Sequence, residues 1–205
     1  MPIPAGTITA PAYATLAQLK AWIAVPAADQ TRDTVLAMNL AAASRWVDGY
    51  CRRRFSLDAT ATQRSYPASV GATELLTDDI GDLAGLLVDS GTASSGTYTA
   101  VTTYAARPPN ALALGLPVDR LFLDAGWAPY ASAYTTMVRV TARWGWPVVP
   151  DEVGQATLIQ AARLFKRKDS PEGVLGSAEW GAIRVGRVDP DVESLLAPYR
   201  LFPVA

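Results

Sequence analysis

The sequence contains no histidine and a single cysteine in 205 residues. The first absence removes the usual general base, the commonest metal ligand and any Ser-His or Cys-His nucleophile pair, which argues against most hydrolase chemistry. The second excludes an intrachain disulfide framework and a Cys-rich zinc site; Cys51 falls in a helical pattern and reads as a small buried hydrophobe. An excess of one charge is also missing. Eighteen basic residues against nineteen acidic ones leave a formal charge of −1, without the basic surplus that drives non-specific nucleic-acid binding. No stretch approaches the about 20 apolar residues that span a bilayer, and the N-terminal MPIPAGTITAPAYA lacks the charged start and apolar core of a signal peptide. A Gly-rich phosphate loop, a GxSxG elbow and internal repeats are likewise absent. The expectation is a non-enzyme without metal or cofactor and without a membrane partner.

What is present is half hydrophobic and rich in Ala, Thr, Gly and Pro. That suits a soluble intracellular protein with many turns, large enough for one domain or for a core with one insertion. The most strongly patterned stretch is Arg143 to Gly176. Asp151 as N-cap, Glu152 in the first turn and the Lys166-Arg167-Lys168 run at the end all agree with the helix macrodipole. At about 100° per residue, Val153, Thr157, Leu158, Ala161, Leu164 and Phe165 share one face. Gln155, Gln160, Arg163, Lys166 and Arg167 lie opposite, with Ile159 among them. That outer ridge reads either as a solvated helix face or as part of a subunit interface.

Two helices precede it. Thr15 caps a short helix to Ile23, ended by Pro26, and polar residues Asp29 to Asp33 open a longer one to about Arg53. In the longer helix Val35, Leu36, Leu40, Ala43, Trp46, Val47 and Tyr50 cover one arc, while Ala37, Ser44, Arg45 and Asp48 lie across. Arg52-Arg53-Arg54 are expected in its last turn, where each cation contributes about 0.3–1 kcal/mol.

From Ser56 to Trp146 the period becomes two. Met137 to Trp144 is the clearest strand, with Val138, Val140, Ala142 and Trp144 on one side. Shorter candidates are Arg64–Tyr66, Thr73–Thr77, Leu86–Val88, Thr97–Tyr104 and Val118–Leu123, with exposed loops at 90–96 and 125–134. The acidic group Asp78, Asp79 and Asp82 reads as a solvated turn, with a metal or carboxylate-pair site as the alternative. Trp144 and Trp146 flank Gly145, either as core packing or as an intersubunit contact. After the main helix come a turn at 169–173, a short strand at 183–185 and a helix capped by Asp189 with Pro190 at its first position, stopped by Pro198. The tail Tyr199 to Ala205 is apolar, unusual for a solvated chain end. The expected fold class is α+β: a small helical bundle core from residues 1–55 and 147–205, with an antiparallel β-rich insertion at 56–146.

Two blocks resemble the head-to-tail connector, or adaptor, proteins of long-tailed bacteriophages. The first is TLAQLKAWI followed by LAAASRWVDGYCRRRF. The second, VRVTARWGWPVVPDEVGQATLIQAARLFKRKDSPEGV with the later RVDPDVESLLAPYR, is similar to the form found in phages of actinobacteria. Together they cover roughly half the chain in the family's order; the middle region is similar only in character.

The resemblance implies a structural virion protein of the neck, assembled in the host bacterial cytoplasm. It implies a ring, commonly of twelve subunits, beneath the portal protein, which extends the DNA channel, touches packaged DNA only passively and docks the next connector or tail component. A closing ring needs two different faces on each subunit; Arg45, Ile159, Arg163 and Arg167 are the candidate interface or channel residues. The family's C-terminal segment reaches the portal, so Tyr199, Arg200, Leu201, Phe202, Pro203 and Val204 are the candidate docking tail. Burial of Leu201 and Phe202 would contribute about 1.5–3 kcal/mol each.

Two other readings stand beside it. A decoration or baseplate protein would use the loop Gly126-Trp127-Ala128-Pro129-Tyr130 as an aromatic platform for glycan or protein. A DNA-binding packaging factor would use Arg52–Arg54 and Lys166–Lys168, against the overall charge.

Overall fold

The Thr15 hydroxyl accepts from the backbone N–H of Gln18 while the Gln18 side chain accepts from the Thr15 N–H, a reciprocal capping box that starts α1 (Leu16–Trp22) by satisfying two otherwise orphaned donors. A computed structural model describes residues 11–69, 71–92, 96–127, 136–167, 174–175, 183–184 and 188–201. The chain divides into two compact units, Met1–Arg53 with Val149–Ala205, and Arg54–Val148.

The first unit is helical. α2 (Asp33–Cys51) starts without a side-chain cap, since Arg32 at that position carries no acceptor, while Asp29 just before it accepts from the N–H and hydroxyl of Thr31. It ends one residue before the arginine run: Arg52 sits in the left-handed region at φ 57° as C-cap, so Arg52–Arg54 follow the last turn rather than occupying it. α3 (Asp151–Arg167) begins at Asp151 itself, with Pro150 accepting the first helical bond from Gly154. α4 (Pro190–Leu196) is capped by Asp189, whose carboxylate accepts from Asp191 N–H at 3.0 Å, with Pro190 opening the helix.

Leu19, Leu36, Leu40, Ala43, Ala161 and Ala162 form the buried centre of this unit, with Leu158, Leu164 and Phe165 packed against it. Ser44, assigned by periodicity to the outer arc, is instead buried. Its hydroxyl donates to Leu40 O and accepts from Tyr13 N–H, so a polar side chain is tolerated inside because both its roles are used. Cys51 is buried as the pattern indicates, and burial pushes its thiol up to about 11.

The second unit is an antiparallel sheet of β1 (Thr62–Pro67), β2 (Glu74–Thr92), β3 (Tyr98–Ala100), β4 (Ala105–Arg107), β5 (Val118–Phe122) and β6 (Thr136–Trp144), ordered β1-β6-β2-β5-β4 with β3 also on β2. Burial alternates along β6, with Val138, Val140, Ala142 and Trp144 inside. They pack with Leu75, Ile80, Val88, Val118, Leu121 and Trp127. Two expected strands and the turn between them are one long strand, β2. It pairs with β5 near its start and β6 along its second half, and the register shifts between Leu76 and Ile80, Ile80 and Asp82, and Asp82 and Leu87. The Gly and Asp residues that look like a turn in sequence are absorbed as irregularities in a strand held on both sides.

Ser90 to Thr92 likewise belong to β2, and Thr97–Tyr104 shortens to β3. A two-stranded ribbon, β7 (Val174–Leu175) with β8 (Ile183–Arg184), belongs to the helical unit. The turn expected at 169–173, residues 128–134 of the expected loop and Val185 lie outside the described residues. The α+β class and the helical core with its antiparallel β insertion are as the sequence leads one to expect.

Candidate functional site

No helix among the described residues is long and apolar enough to cross a membrane, and no group of His, Cys, Asp and Glu among them could hold a metal ion. The acidic group of β2 is built into the sheet rather than solvated as a turn. Asp78 accepts from Arg64 at 2.7 Å and from the Tyr66 phenol at 2.9 Å. Asp79 is buried and accepts from the Trp146 indole at 3.0 Å. Asp82 pairs with Arg143 at 2.8 Å, and its carboxyl is held below the usual range by the N–H of Ala84 and then by Arg143.

Trp144 and Trp146 are both buried within the β unit, which decides for core packing. Trp127, the residue on which an aromatic platform depends, is only 2% exposed and donates its indole N–H to Thr73 O at 3.0 Å. It is a core residue of the sheet, so its face is not open to a sugar; Ala128, Pro129 and Tyr130 lie outside the described residues.

The helical unit carries an open groove of mixed character elsewhere. Trp22, Gln155, Ile159, Ala162, Arg163 and Lys166 line a groove of about 490 Å3 together with Asp191, Ser194 and Leu195 of α4. Trp22 is 51% exposed at its edge. Ile159, the apolar residue out of place on the polar arc of α3, thus faces this groove. Arg163 reaches Asp189 at 3.1 Å, tying α3 to the cap of α4, and Arg167 is exposed at the end of α3.

Arg45 lies on α2. Its guanidinium pairs with Asp48 at 3.2 Å, donates to Pro11 O and lies over the Tyr13 ring; the Tyr13 phenol donates to Asp48. The four interface candidates therefore do not form one cluster. Ile159 and Arg163 share the groove, whereas Arg45 stands on α2 among Val35, Met38 and Ala42, all of them exposed. Met38, on the same exposed side of α2, is 67% exposed, and in the sequence it carries no signal beyond its helical position.

The root of the C-terminal tail is held by its own chain. Tyr199 donates its phenol to Glu152 at 2.8 Å. Arg200 lies over the Tyr50 ring at 4.6 Å, itself stacked on Trp46 at 5.1 Å. The Leu201 N–H donates to Cys51 O at 3.0 Å, satisfying an end carbonyl of α2. Burial and the neighbouring Glu152 push the Tyr199 phenol up to about 12. Glu152 is shifted down by its own backbone N–H and by Tyr199. The Leu201 side chain is 46% exposed; Phe202, Pro203 and Val204 lie outside the described residues.

No family model matches the sequence, and no curated protein matches it. Solved structures are similar over the full length, among them two from gene transfer agent particles. One is a chain from the neck of an empty gene transfer agent particle computed with C6 symmetry, at TM-score 0.56 and 17% identity, covering 100% of this chain and 95% of that one. The other is a chain from the virion of a native gene transfer agent particle, at TM-score 0.55 and 18% identity, with the same coverage. At such identity the likeness is one of fold.

Proposed function

We propose that the protein is a non-catalytic structural component of a virion neck: a head-to-tail adaptor that forms a ring below the portal protein, extends the DNA channel and docks the next connector or tail component. The observation that carries this reading is the full-length likeness of fold to a chain from the neck of a gene transfer agent particle. The ordered sequence blocks at both ends of the β insertion support it independently. A ring of twelve subunits is compatible with sixfold symmetry, and a near-neutral chain would let packaged DNA pass without holding it.

In this reading the helical unit carries the subunit contacts, through Arg45, Ile159, Arg163 and Arg167, and residues from Phe202 onward reach the portal. Tyr199 to Leu201 act as the anchor from which that segment leaves. The β insertion is left as a separate surface for the downstream component. Electron microscopy of particles carrying a tagged copy is the direct test. Density for a closed ring at the portal vertex is expected; label on the capsid faces or at the baseplate would overturn the reading.

A further inference from the structure

The sheet ends at β1 on one side and β4 on the other, with β3 a further short strand on β2. β3 and β4 have three residues each, and β4 runs into Pro108, so both offer little to an added strand. β1 is different. Its six residues pair with β6 in one unbroken register. The Ala68 N–H donates to Thr136 O just beyond the Pro67–Met137 pair. Bonded and non-bonded pairs alternate along an antiparallel ladder, so Thr62, Arg64 and Tyr66 turn their backbone groups to β6, while Gln63, Ser65 and Pro67 turn theirs away. Pro67, which has no N–H to give, falls at one of the outward places, as this alternation requires. The free edge thus holds two N–H donors and three carbonyl acceptors, those of the exposed residues Gln63, Ser65 and Pro67. Arg64, the single charge of β1, is turned onto the Trp144 ring and Asp78 and does not guard the edge, where native sheets commonly place a charge or a bulge. Among the described residues no strand pairs with it.

Resting on the ring reading above, we propose that residues 5–10 of one copy of this chain add to the free edge of β1 in the next copy, extending the six-stranded sheet by one strand. The segment, Ala-Gly-Thr-Ile-Thr-Ala, lies outside the described residues. It runs between Pro4 and Pro11 and has the six-residue length of β1. Every residue within it keeps its N–H, which Pro2 and Pro4 do not, and Thr7, Ile8 and Thr9 are β-branched, the type that suits an extended strand. Its side chains are uncharged, matching an edge whose outward residues are Gln63, Ser65 and Pro67. The segment is rooted on the helical unit: Pro11 O accepts from Arg45 of α2 at 3.3 Å, and the Tyr13 N–H donates to Ser44 at 3.1 Å. The receiving edge belongs to the β unit. Each subunit therefore offers one strand and one edge, two different surfaces, as a head-to-tail contact in a closed ring requires. Main-chain hydrogen bonds hold an extended segment added to an open sheet edge.

The variants Thr9→Cys and Ser65→Cys test the exchange, because native Cys51 is buried. Particles assembled on portal-bearing heads from a mixture of the two should give a linked pair of chains with a flexible bismaleimide, and particles of either variant alone should not. Thr7→Pro with Ile8→Pro, added to the Thr9→Cys chain, should abolish the linked pair: successive N–H groups of a strand point to opposite sides, so one of the two prolines removes a donor facing β1 in any register. The same double change should leave the monomer's circular dichroism and melting unchanged. A cross-link within one chain, in a monomer carrying both cysteines, would overturn the exchange between copies. Linkage of Ser65→Cys to a different virion protein, with none to Thr9→Cys, would give the edge to that partner and overturn the proposal. Absence of linkage from the mixture in particles whose micrographs show the ring would overturn the added strand and leave the ring intact. Micrographs without a ring would remove the adaptor reading and this contact together.

Discussion

The indole of Trp146 donates to the carboxylate of Asp79 at 3.0 Å inside the β unit, with the aromatic ring of Phe55 5.2 Å from that of Trp146. Asp79 thereby serves the sheet rather than a ligand. Asp79→Ala leaves a buried donor without this acceptor, and a loss of about 1–3 kcal/mol is expected. Asp79→Asn, which keeps an acceptor oxygen, should recover part of it. Asp78→Ala removes an exposed pair with Arg64 and should cost less than about 1 kcal/mol. Urea unfolding followed by tryptophan fluorescence measures all three; equal effects at positions 78 and 79 would show that Asp79 has no such role.

Gly145 separates the two buried tryptophans at φ +114°, and a Cβ there would collide with the carbonyl oxygen of Ser56. Only glycine fits both conditions. Gly145→Ala should cost at least the about 1–3 kcal/mol of a strained backbone position, with the clash added. Gly85→Ala has a positive φ but open space around its Cβ, so it isolates the conformational part. If the two variants melt alike, the contact with Ser56 is immaterial.

Much of this fold was legible because its signals are local. The capping box of α1, the Asp189–Pro190 start of α4 and the alternation of β6 each lie within a few residues. What escaped is non-local. The bend-prone Asp78–Gly85 segment is carried within one strand by pairing at Ile80 with β5 and at Ile80 and Asp82 with β6, partners that outweigh turn propensity. Trp127 reads as a loop aromatic until the carbonyl of Thr73, 54 residues earlier, is found beneath its indole. Ile159 and Arg163 fall on one helix face by periodicity, but the groove they line also needs Trp22 and α4. Arg45 was selected without Met38, the more exposed residue of the same ridge.

Tyr199 and Glu152 make the tail root sensitive to pH in a defined direction. The folded phenol is raised to about 12 from an ordinary value of 10. A raised folded value means stability fully present below pH 10 and lost as pH rises toward 12. Glu152, shifted down in the folded state, works the other way: its contribution is present above the ordinary carboxylate range and lost on acidification. Unfolding free energy should therefore fall from pH 10 to 12 more steeply in the native chain than in Tyr199→Phe. Parallel curves would rule out a coupled Tyr199.

Arg163 has an intrachain partner whose energetic contribution can be separated from any contact with a second subunit. The pair with Asp189 is three-quarters buried on both sides, and Arg163→Ala should lower monomer stability by about 0.5–1 kcal/mol. Arg163→Lys should keep much of the charge interaction. A ring role adds a second effect: Arg163→Ala should reduce ring occupancy on particles at a temperature where the monomer is still fully folded. Unchanged occupancy under those conditions would confine Arg163 to its own chain.

The C-terminal tail can be divided at Leu201. Deleting residues 199–205 removes the Tyr199 bond to Glu152, the stacking of Arg200 on Tyr50 and the Leu201 bond to the end of α2, so any assembly defect would mix lost docking with a loosened helical unit. A chain ending at Leu201 keeps all three contacts. If residues 202–205 dock the portal, that shorter deletion should leave unfolding free energy within about 0.5 kcal/mol of the full chain, the usual range for changes away from packed features, and should still abolish joining to portal-bearing heads. Infectious particles at normal yield from the chain ending at Leu201 would refute the docking assignment. Loss of joining together with loss of stability would instead mean that the last four residues belong to the fold.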